Sequence, residues 1–442
     1  IKNMFLGLLN KVKTSYNNYY ENALAILASV MVFRKPGTIV ILLFIALNIL
    51  FYKRLKLDTK KWLPILIIAI PFLLDLFFIW NNTEISDGFK HMEKRLTTFV
   101  FPLLIIGQAF TFNLKKVLKI YSICFSTILY ILLIRFLIIE PQLVEKYLKG
   151  IELWEMGYSF ANSTSVHAPA LNMHVAFLVV VNTYLFIVHA IHNKWQLVTY
   201  RFLLFIASIF MLLIINTRLA IANALLGIFI VLFMELFKKV SRKKLVTITS
   251  SIGVLLIVVF FAFAKAFPYI IEKYSSVTFA HMDKVGELDD FENPEGAVFN
   301  SFVTRVSIWK TAWERAQDDI IFGVGAADGK DELNQAYIDT NQVFLAKYKF
   351  PTHNQYLDFL LKFGILGFIG VLLYIFHILW IGWKWQHSIP IFFFILFFTS
   401  NLTDDFLIRY DGITFSALWI SIFASIYWNN RLSKDPLEIE NS

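Results

Sequence analysis

The sequence predicts an all-α, polytopic membrane protein with about twelve transmembrane helices, and composition and block length are the observations that predict it. Apolar residues make up 57% of the 442 residues and charged residues only 17%, whereas a typical soluble domain has about a quarter charged residues. The apolar residues fall into blocks near the roughly 20 residues that a helix needs to cross a bilayer. Because backbone amides find no water in lipid, such blocks predict helices.

Twelve of these blocks follow one another along the chain. They give nine spans over residues 1–268, a large polar loop over residues 269–352, three spans over residues 353–430 and a tail over residues 431–442. No internal repeat relates the first spans to the last, which argues against a transporter built from two related halves. The spans lie near residues 17–33, 38–52, 62–80, 97–113, 117–139, 169–192, 198–216, 219–237, 245–268, 355–380, 389–403 and 412–428.

The positive charges between the blocks predict the orientation of the bundle. Clusters of Lys and Arg mark the cytoplasmic face of a membrane protein. Both termini are therefore predicted to be cytoplasmic, and the large loop is predicted to lie outside. The net charge of +9 follows from this bias, so it does not indicate a nucleic-acid partner. The clusters lie near residues 2–13, 53–61, 115–119, 194–201, 238–244 and 431–434.

The large loop has the pattern of a folded segment. Residues 303–313 repeat apolar side chains at helical spacing, and residues 331–345 predict a second amphipathic helix. Gly323 and Gly325 predict a turn between them. The acidic run 287–295 lacks the spacing of a calcium loop, so it predicts a solvated surface.

Two arginines are candidates for binding an anion. Arg218 stands at the outer hinge between two apolar spans, where a guanidinium usually has an anionic partner; an arginine that reaches the lipid headgroups is the alternative. Arg305 begins the first predicted loop helix. The loop is more acidic than basic, so an anion site there requires individually positioned arginines. By itself Arg305 also fits a solvated helix face.

His353 is the candidate general base. It follows Thr352, the predicted N-cap of the tenth span, so it is expected at the outer mouth of a transmembrane helix. An imidazole in that position can take a proton near neutral pH, and a structural hydrogen bond is the alternative. The structural alternative is assigned to the other histidines considered, His167, His174, His281 and His377.

The beginning of the tenth span carries a polar face. Asn354, Asp358 and Lys362 follow one another at four-residue intervals and therefore share one side of the helix. A polar face cannot contact lipid, so it is expected to line a cavity that opens outward, with Asn354 and Asp358 as substrate-binding candidates. The alternative is an Asp358–Lys362 pair packed against protein. Asp404, Asp405 and Arg409, between the last two spans, are expected to close the same cavity.

Three motifs occur in a fixed order along the chain. The first is Asn216-Thr-Arg-Leu-Ala, and the second is Phe302-Val-Thr-Arg-Val-Ser-Ile-Trp-Lys-Thr-Ala-Trp, followed by Ile321-Phe-Gly-Val-Gly. The third is Thr352-His-Asn-Gln-Tyr-Leu, followed by Phe363-Gly-Ile-Leu-Gly-Phe. In order, spacing and position relative to the large loop, these motifs resemble those of the bacterial O-antigen ligase and O-antigen polymerase superfamily.

The resemblance implies a membrane glycosyltransferase with a GT-C-like fold that uses no metal and no other cofactor. Its donor would be a glycan on undecaprenyl diphosphate, transferred en bloc to lipid A-core or another glycan acceptor at the periplasmic face of the bacterial inner membrane. By matching motif, Arg218 and Arg305 would hold the donor diphosphate and His353 would act on the acceptor hydroxyl. Arg95, at an outer span start, would add a diphosphate contact.

The residue types suit these roles. The leaving group gains negative charge as the glycosidic bond breaks, and fixed guanidiniums stabilise that charge in the transition state. A positioned base typically accelerates attack by a hydroxyl about 10²–10⁴-fold. The leading hypothesis is an O-antigen ligase. Three alternatives stay open: a polymerase with a lipid-linked acceptor, an oligosaccharyltransferase acting on protein, and, from a different class, a polysaccharide-lipid transporter. The single cysteine, Cys124, lies in an apolar block and predicts neither a disulfide nor a metal site.

Overall fold

The computed structural model describes residues 15–151, 153–191, 195–238, 279–299 and 301–433, together with residues 247, 250, 251, 254 and 258. Within these residues the chain is helical and contains no strand. The α-helices are numbered here in chain order over the described residues.

The first twelve helices precede the large loop. They are α1 (Tyr16–Val30), α2 (Arg34–Leu50), α3 (Thr59–Ile68), α4 (Ile70–Phe77), α5 (Ile85–Arg95), α6 (Thr97–Ile106), α7 (Leu114–Ile139), α8 (Pro141–Leu148), α9 (Leu153–Ser163), α10 (Ala168–Ile191), α11 (Trp195–Ile215) and α12 (Arg218–Phe237).

The large loop and the segment after it contribute the remaining helices. They are α13 (Pro294–Val298), α14 (Phe302–Asp318), α15 (Gly329–Asp339), α16 (Val343–Tyr348), α17 (Gln355–Trp385), α18 (Ser388–Thr403) and α19 (Tyr410–Ser433). Short 3₁₀ turns lie at Tyr52–Arg54, Ile79–Asn81, Met282–Lys284, Leu288–Asp290 and Phe406–Ile408.

Five of these helices are long and apolar enough to cross a membrane: α7, α10, α11, α12 and α17. The chain is therefore an all-helical, polytopic membrane protein, while the number twelve stays a prediction. The predicted third span is two helices that meet at Ala69. The predicted fourth span is shorter than expected, because α6 ends at Ile106. The predicted ninth span, apart from five positions, lies outside the described residues.

Helix α10 lies at the centre of the bundle. It packs against α11, α12, α7 and α18. Of its most apolar stretch of 18 residues, 78% is buried inside the protein. A helix that is apolar on all sides and enclosed by others contributes to the core with its whole circumference. The main core joins α10 to aromatic side chains of α7, α18 and α19, among them Tyr121, Phe393 and Trp419.

The large loop has a second, smaller core. Ile308 and Ala312 of α14 pack with Leu333 and Tyr337 of α15 and with Leu360 at the beginning of α17. The predicted first loop helix is confirmed, and Ser301 caps it by accepting the amide of Thr304 at 3.3 Å. The predicted second helix is wrong in extent, because α15 ends at Asp339 and α16 begins at Val343.

Helix α17 is broken at Gly364, which has φ 62° and ψ −154°. The break separates a short half-helix (residues 355–363) from the long apolar part that follows. The amides of Val324 and Gly325 donate to carbonyl oxygens of the half-helix at 2.9 and 3.0 Å, so the large loop is bonded into the break. The predicted turn is confirmed by the positive φ of Gly323 and Gly325, 68° and 100°. We call the end of the bundle that carries residues 279–299 and 301–353 the loop end.

Candidate active site

His353 lies at the loop end, immediately before the half-helix of α17. Its backbone has φ 46°, a left-handed conformation that costs a non-glycine residue free energy and is frequent at functional sites. The N-cap of α17 is Asn354, whose side-chain oxygen accepts the amides of Tyr356 and Leu357 at 3.0 and 3.2 Å. The prediction that Thr352 caps this helix is therefore wrong by two residues, and His353 precedes the helix as a fixed, strained residue.

The imidazole of His353 faces a carboxylate. Its Nδ1 lies 3.4 Å from Oδ1 of Asp404, in the segment that joins α18 to the 3₁₀ turn at Phe406–Ile408. About 22% of the His353 side chain is exposed, whereas 7% of the Asp404 side chain is. The arrangement leaves Nε2 as the ring nitrogen that does not face Asp404.

Asp404 is held ionised by its neighbours. Burial by itself raises the pKa of this carboxyl, but the His353 contact and the nearby Arg409 guanidinium bring the pKa below its usual value. Arg409 Nη2 lies 3.3 Å from Asp404 Oδ1 and 3.7 Å from Asp405 Oδ1. Burial and the adjacent Asp404 raise the pKa of Asp405, so one carboxyl of this pair is ionised and the other retains its proton.

His167 approaches Asp404 from the other side. It directly precedes α10, and its Nδ1 lies 3.9 Å from Asp404 Oδ2. Burial, followed by the charge of Arg409, lowers the pKa of His167 to about 4. Arg305 and His353 also act on this imidazole electrostatically. The sequence assigned His167 a structural role, but the structure brings it to the carboxylate that contacts His353.

Tyr158 of α9 is the side chain on which both candidate arginines act. Burial raises the pKa of its hydroxyl, while Arg305 and Arg218 lower it and Asp404 raises it. Arg218, Arg305 and Asp404 therefore all act electrostatically on one phenol, and nothing in the sequence motifs pointed to Tyr158.

The hinge that carries Arg218 is braced by buried packing. Arg218 is the first residue of α12, and Thr217 before it accepts a hydrogen bond from the Asn172 side chain at 2.8 Å. Gly157, next to Tyr158, packs directly against the backbone of Ile215, where a Cβ would collide. This contact fixes α9 against the hinge that carries Arg218.

The polar face of α17 has structural partners. Asp358 and Lys362 form an ion pair of 2.7 Å, with 6% and 5% of their side chains exposed, and Gln355 donates to Asp358 at 3.2 Å. Asp358 and Lys362 therefore form the ion pair packed against protein that the sequence left as the alternative. They do not line an open cavity. The side-chain oxygen of Asn354 caps the helix. This oxygen is therefore already engaged in hydrogen bonds, although the sequence predicted that Asn354 binds substrate.

Arg95, the third arginine predicted to contact the diphosphate, is engaged in a buried ion pair. It is buried against Asp75, with Nη1 2.7 Å from Asp75 Oδ1 and about 2% and 0% of the two side chains exposed. Its Nε donates to the carbonyl oxygen of Leu407 at 3.0 Å, and the guanidinium lies over the ring of Phe359. A diphosphate contact would require this sealed pair to open.

One group of described side chains has the spacing of a cation site. His353, Asp404 and Asp405 offer ligand atoms within 4.8 Å of one another. The Arg409 guanidinium already supplies a positive charge beside the ionised Asp404, and the protonated Asp405 is fully buried. The donor set therefore fits an ion, but its charge is balanced by a side chain.

The comparison with protein families agrees with the three motifs. Residues 203–372 match the O-antigen ligase family. The match runs from α11 into the long part of α17 and includes Arg218, Arg305 and His353, which confirms the resemblance given by the motifs. Members of this family are membrane glycosyltransferase-like enzymes that act as ligases or polymerases. No curated protein matches the chain.

Proposed function

We propose that the protein is an O-antigen ligase that transfers a glycan en bloc from undecaprenyl diphosphate to lipid A-core. The proposal is supported by the contact of His353 with Asp404 and by the electrostatic effect of Arg218, Arg305 and Asp404 on Tyr158. His353, Arg218 and Arg305 lie inside the region that matches the family. A cluster with two guanidiniums suits a diphosphate, because fixed cations oppose the charge that develops on the leaving group.

The transfer exchanges one bond for another. The acceptor hydroxyl oxygen forms a bond to the anomeric carbon of the donor glycan, and the bond from that carbon to the diphosphate oxygen breaks. His353 takes the hydroxyl proton on Nε2, and Asp404 holds the opposite side of the ring and stabilises the imidazolium that forms. Arg218 and Arg305 hold the departing diphosphate. Arg95 and Asp358 have no part in this step, since each is engaged in a buried ion pair.

The proposed site lies on the periplasmic face of the inner membrane, and both termini are cytoplasmic. This assignment rests on the distribution of Lys and Arg between the loops. The lipid-linked donor and the lipid A-core acceptor both have their glycans on that face. The bilayer is thus the third partner, and the reaction needs no metal and no cofactor.

A polymerase of the same family is the second candidate. It would use the same donor site with a second lipid-linked glycan as acceptor, and both candidates follow from the family match. A polysaccharide-lipid transporter, the candidate from another class, has no such support.

The lipid-linked intermediates of cells that lack the protein separate the two enzymes. A ligase predicts that long lipid-linked chains accumulate while surface glycan is lost, and that the wild-type chain restores the surface glycan. Accumulation of single repeat units would indicate a polymerase instead. Unchanged surface glycan in the deletion strain would contradict both.

The same strain tests the residue assignment. Complementation with His353→Ala is expected to fail, whereas His281→Ala, another histidine of the large loop, is expected to restore the glycan. His281 contacts the ring of Phe291 and not the carboxylate cluster. Restoration by both variants would reject His353 as the base.

A further inference from the structure

Two exposed apolar surfaces meet at the loop end, one on α5 and the other on residues 320–322 of the large loop. Trp80 contacts Phe322 with ring centroids 6.0 Å apart. Asn81, in the turn before α5, donates to the carbonyl oxygen of Gly323 at 2.9 Å. The loop segment is therefore fixed beside α5, and the two apolar surfaces form one patch.

Helix α5 has three distinct sides. Ile85, Phe89, Met92 and Leu96 follow at intervals of four, three and four residues, so they form one stripe. The large members of this stripe are exposed, Ile85 by 56% and Phe89 by 53%. The side next to it is buried in the protein through Gly88 and Arg95, and the remaining side carries Ser86, Lys90, Glu93 and Lys94.

An apolar stripe between a buried side and a charged side is the arrangement of a helix that lies in a membrane interface. A soluble surface seldom exposes a contiguous apolar patch of several large side chains. The loop segment adds Ile321 and Phe322, which are 59% and 50% exposed. Aromatic side chains such as Trp80, which is also exposed, are enriched at the headgroup level of membrane proteins.

The patch continues into surfaces that face lipid. Directly before it along the chain, Phe77 at the end of α4 is 67% exposed. Beside Ile321, the long part of α17 begins with the exposed Ile365 and Leu366, and α17 is one of the helices that qualify as a membrane span. The amide of Ile365 donates to the carbonyl oxygen of Ile320 at 2.8 Å. The loop segment therefore lies at the level where this span emerges.

We propose that Trp80, Ile85, Phe89, Ile321 and Phe322 form an interfacial belt that inserts into the headgroup–acyl boundary of the bilayer and anchors the large loop to the membrane. The occupant of the patch is the lipid surface. Lys94 lies on the charged side of α5 beside Lys90, which pairs with Asp87 at 2.6 Å, and long cationic side chains of this kind reach the headgroup level from an interfacial helix.

The belt fixes the loop that carries Arg305. Asp328 accepts the amide of Thr83 at 2.6 Å, and Asn82 accepts the amide of Ala327 at 2.8 Å, which joins the belt to the beginning of α15. Arg315 of α14 pairs with Glu332 of α15 at 2.7 Å. Helix α14 is thereby connected to the membrane surface through α15.

Fluorescence quenching by spin-labelled lipids tests the belt on the full-length chain in lipid nanodiscs. Single cysteines replace Phe89, Ile321 or Val343 in a Cys124→Ser background, and each is labelled with bimane. Val343 of α16 is the matched control, because it is 66% exposed on a helix that packs on α15 and on the 3₁₀ turn at Leu288–Asp290. Lipids that carry the spin label near the headgroup are expected to reduce the fluorescence at positions 89 and 321 about twofold, since an interfacial helix lies ~5–10 Å deep in this boundary. Position 343 is expected to keep its fluorescence.

Equal fluorescence at all three positions with and without spin-labelled lipid would overturn the proposal. Self-quenching at positions 89 and 321 that depends on two copies per disc, without lipid quenching, would also overturn it and would assign the patch to an interface between copies. Quenching confined to positions 89 and 321 supports the belt. The test does not use glycan transfer, so its outcome is separate from that of the proposed enzyme function.

Discussion

Two charge clusters lie next to the 3₁₀ turn at Phe406–Ile408, and their side chains differ in how far they are exposed to solvent. On one side Asp404 contacts His353, His167 and Arg409, whose side chains are 22%, 41% and 26% exposed. On the other side Arg95 donates to the backbone of that turn and pairs with Asp75 in a fully sealed contact.

The difference separates a reactive cluster from a structural one. A substrate can reach an imidazole and a guanidinium that are partly open. The ionised Asp404 between them retains its charge because the His353 contact and the Arg409 guanidinium lower its pKa. A sealed pair contributes little free energy by itself, but removal of one partner leaves an unpaired buried charge. Variants of the open cluster should therefore lose activity, and variants of the sealed pair should lose stability.

The largest effect is expected for His353→Ala. Transfer should fall about 10²–10⁴-fold, because the positioned base is removed. The melting temperature should change little, since the side chain is partly exposed and its contacts with Asp404 and with the ring of Phe350 lie at the edge of the bundle. Glycan transfer by purified protein in nanodiscs and thermal unfolding of the same sample measure both quantities. His281→Ala is the control, and equal rates for the two variants would remove the distinction between the clusters.

Arg95→Met tests the sealed pair. Leaving Asp75 without its partner should cost about 3–5 kcal/mol of stability, which would be measured as a lower yield of folded protein and a lower melting temperature. The double variant Asp75→Leu with Arg95→Met should recover most of that loss, because no buried charge remains. A stable Arg95→Met protein that has lost donor binding would instead move Arg95 into the active site.

Asp404→Asn and Asp405→Asn distinguish the two neighbouring carboxyls. Loss of the Asp404 charge should reduce transfer by about tenfold or more, the rate effect of roughly 1.4 kcal/mol of transition-state stabilisation. Asp405→Asn should retain activity, because burial and Asp404 raise the pKa of Asp405 and keep it protonated. The pKa of Asp405 is higher in the folded protein than in the unfolded chain. At a pH between these two values, the folded protein holds a proton that the unfolded chain releases. At neutral pH this linkage costs stability, so Asp405→Asn should melt at an equal or higher temperature.

The opposite pattern, with Asp405→Asn inactive and Asp404→Asn active, would exchange the roles of the two carboxyls. The pH dependence gives a further check. Because the pKa of Asp404 is lowered, its contribution to stability is present at neutral pH and is lost only as the pH falls through that lowered value.

The smallest effect is expected on chelation. His353, Asp404 and Asp405 have the spacing of a cation site, but Arg409 supplies positive charge beside the ionised Asp404 and Asp405 keeps its proton. Transfer should therefore be unchanged after exhaustive treatment with EDTA. Loss of activity that added Mg²⁺ restores would show that an ion completes the site.

The sequence predicted those parts of the protein that have a local pattern. The length of the apolar blocks predicted the long helices, the spacing of residues 303–313 predicted α14, and Gly323 and Gly325 predicted the turn. It did not predict the break at Gly364, because that break depends on hydrogen bonds from a segment about forty residues earlier in the chain. It also placed the N-cap at Thr352, since both Thr352 and Asn354 can cap a helix and only the strained backbone of His353 decides between them.

The candidate site shows the same limit. The motifs pointed to His353, Arg218 and Arg305, and the sequence placed Asp404 and Arg409 near them. Tyr158 and His167 were missed, since neither belongs to a motif and both reach the cluster only through the packing of α9 and α10. Arg95 was chosen for its position at an outer span start, but no local pattern shows that Asp75, from another helix, neutralises it.

Donor binding and transfer, measured separately for three variants, test the central claim that two arginines and one histidine serve a single site. Purified protein in nanodiscs is titrated with a lipid-linked glycan donor, and transfer is followed in the same discs. The account predicts that Arg218→Ala and Arg305→Ala weaken donor binding, whereas His353→Ala binds the donor normally and does not transfer it. Normal donor binding by both arginine variants, or transfer by His353→Ala at the wild-type rate, would contradict the account.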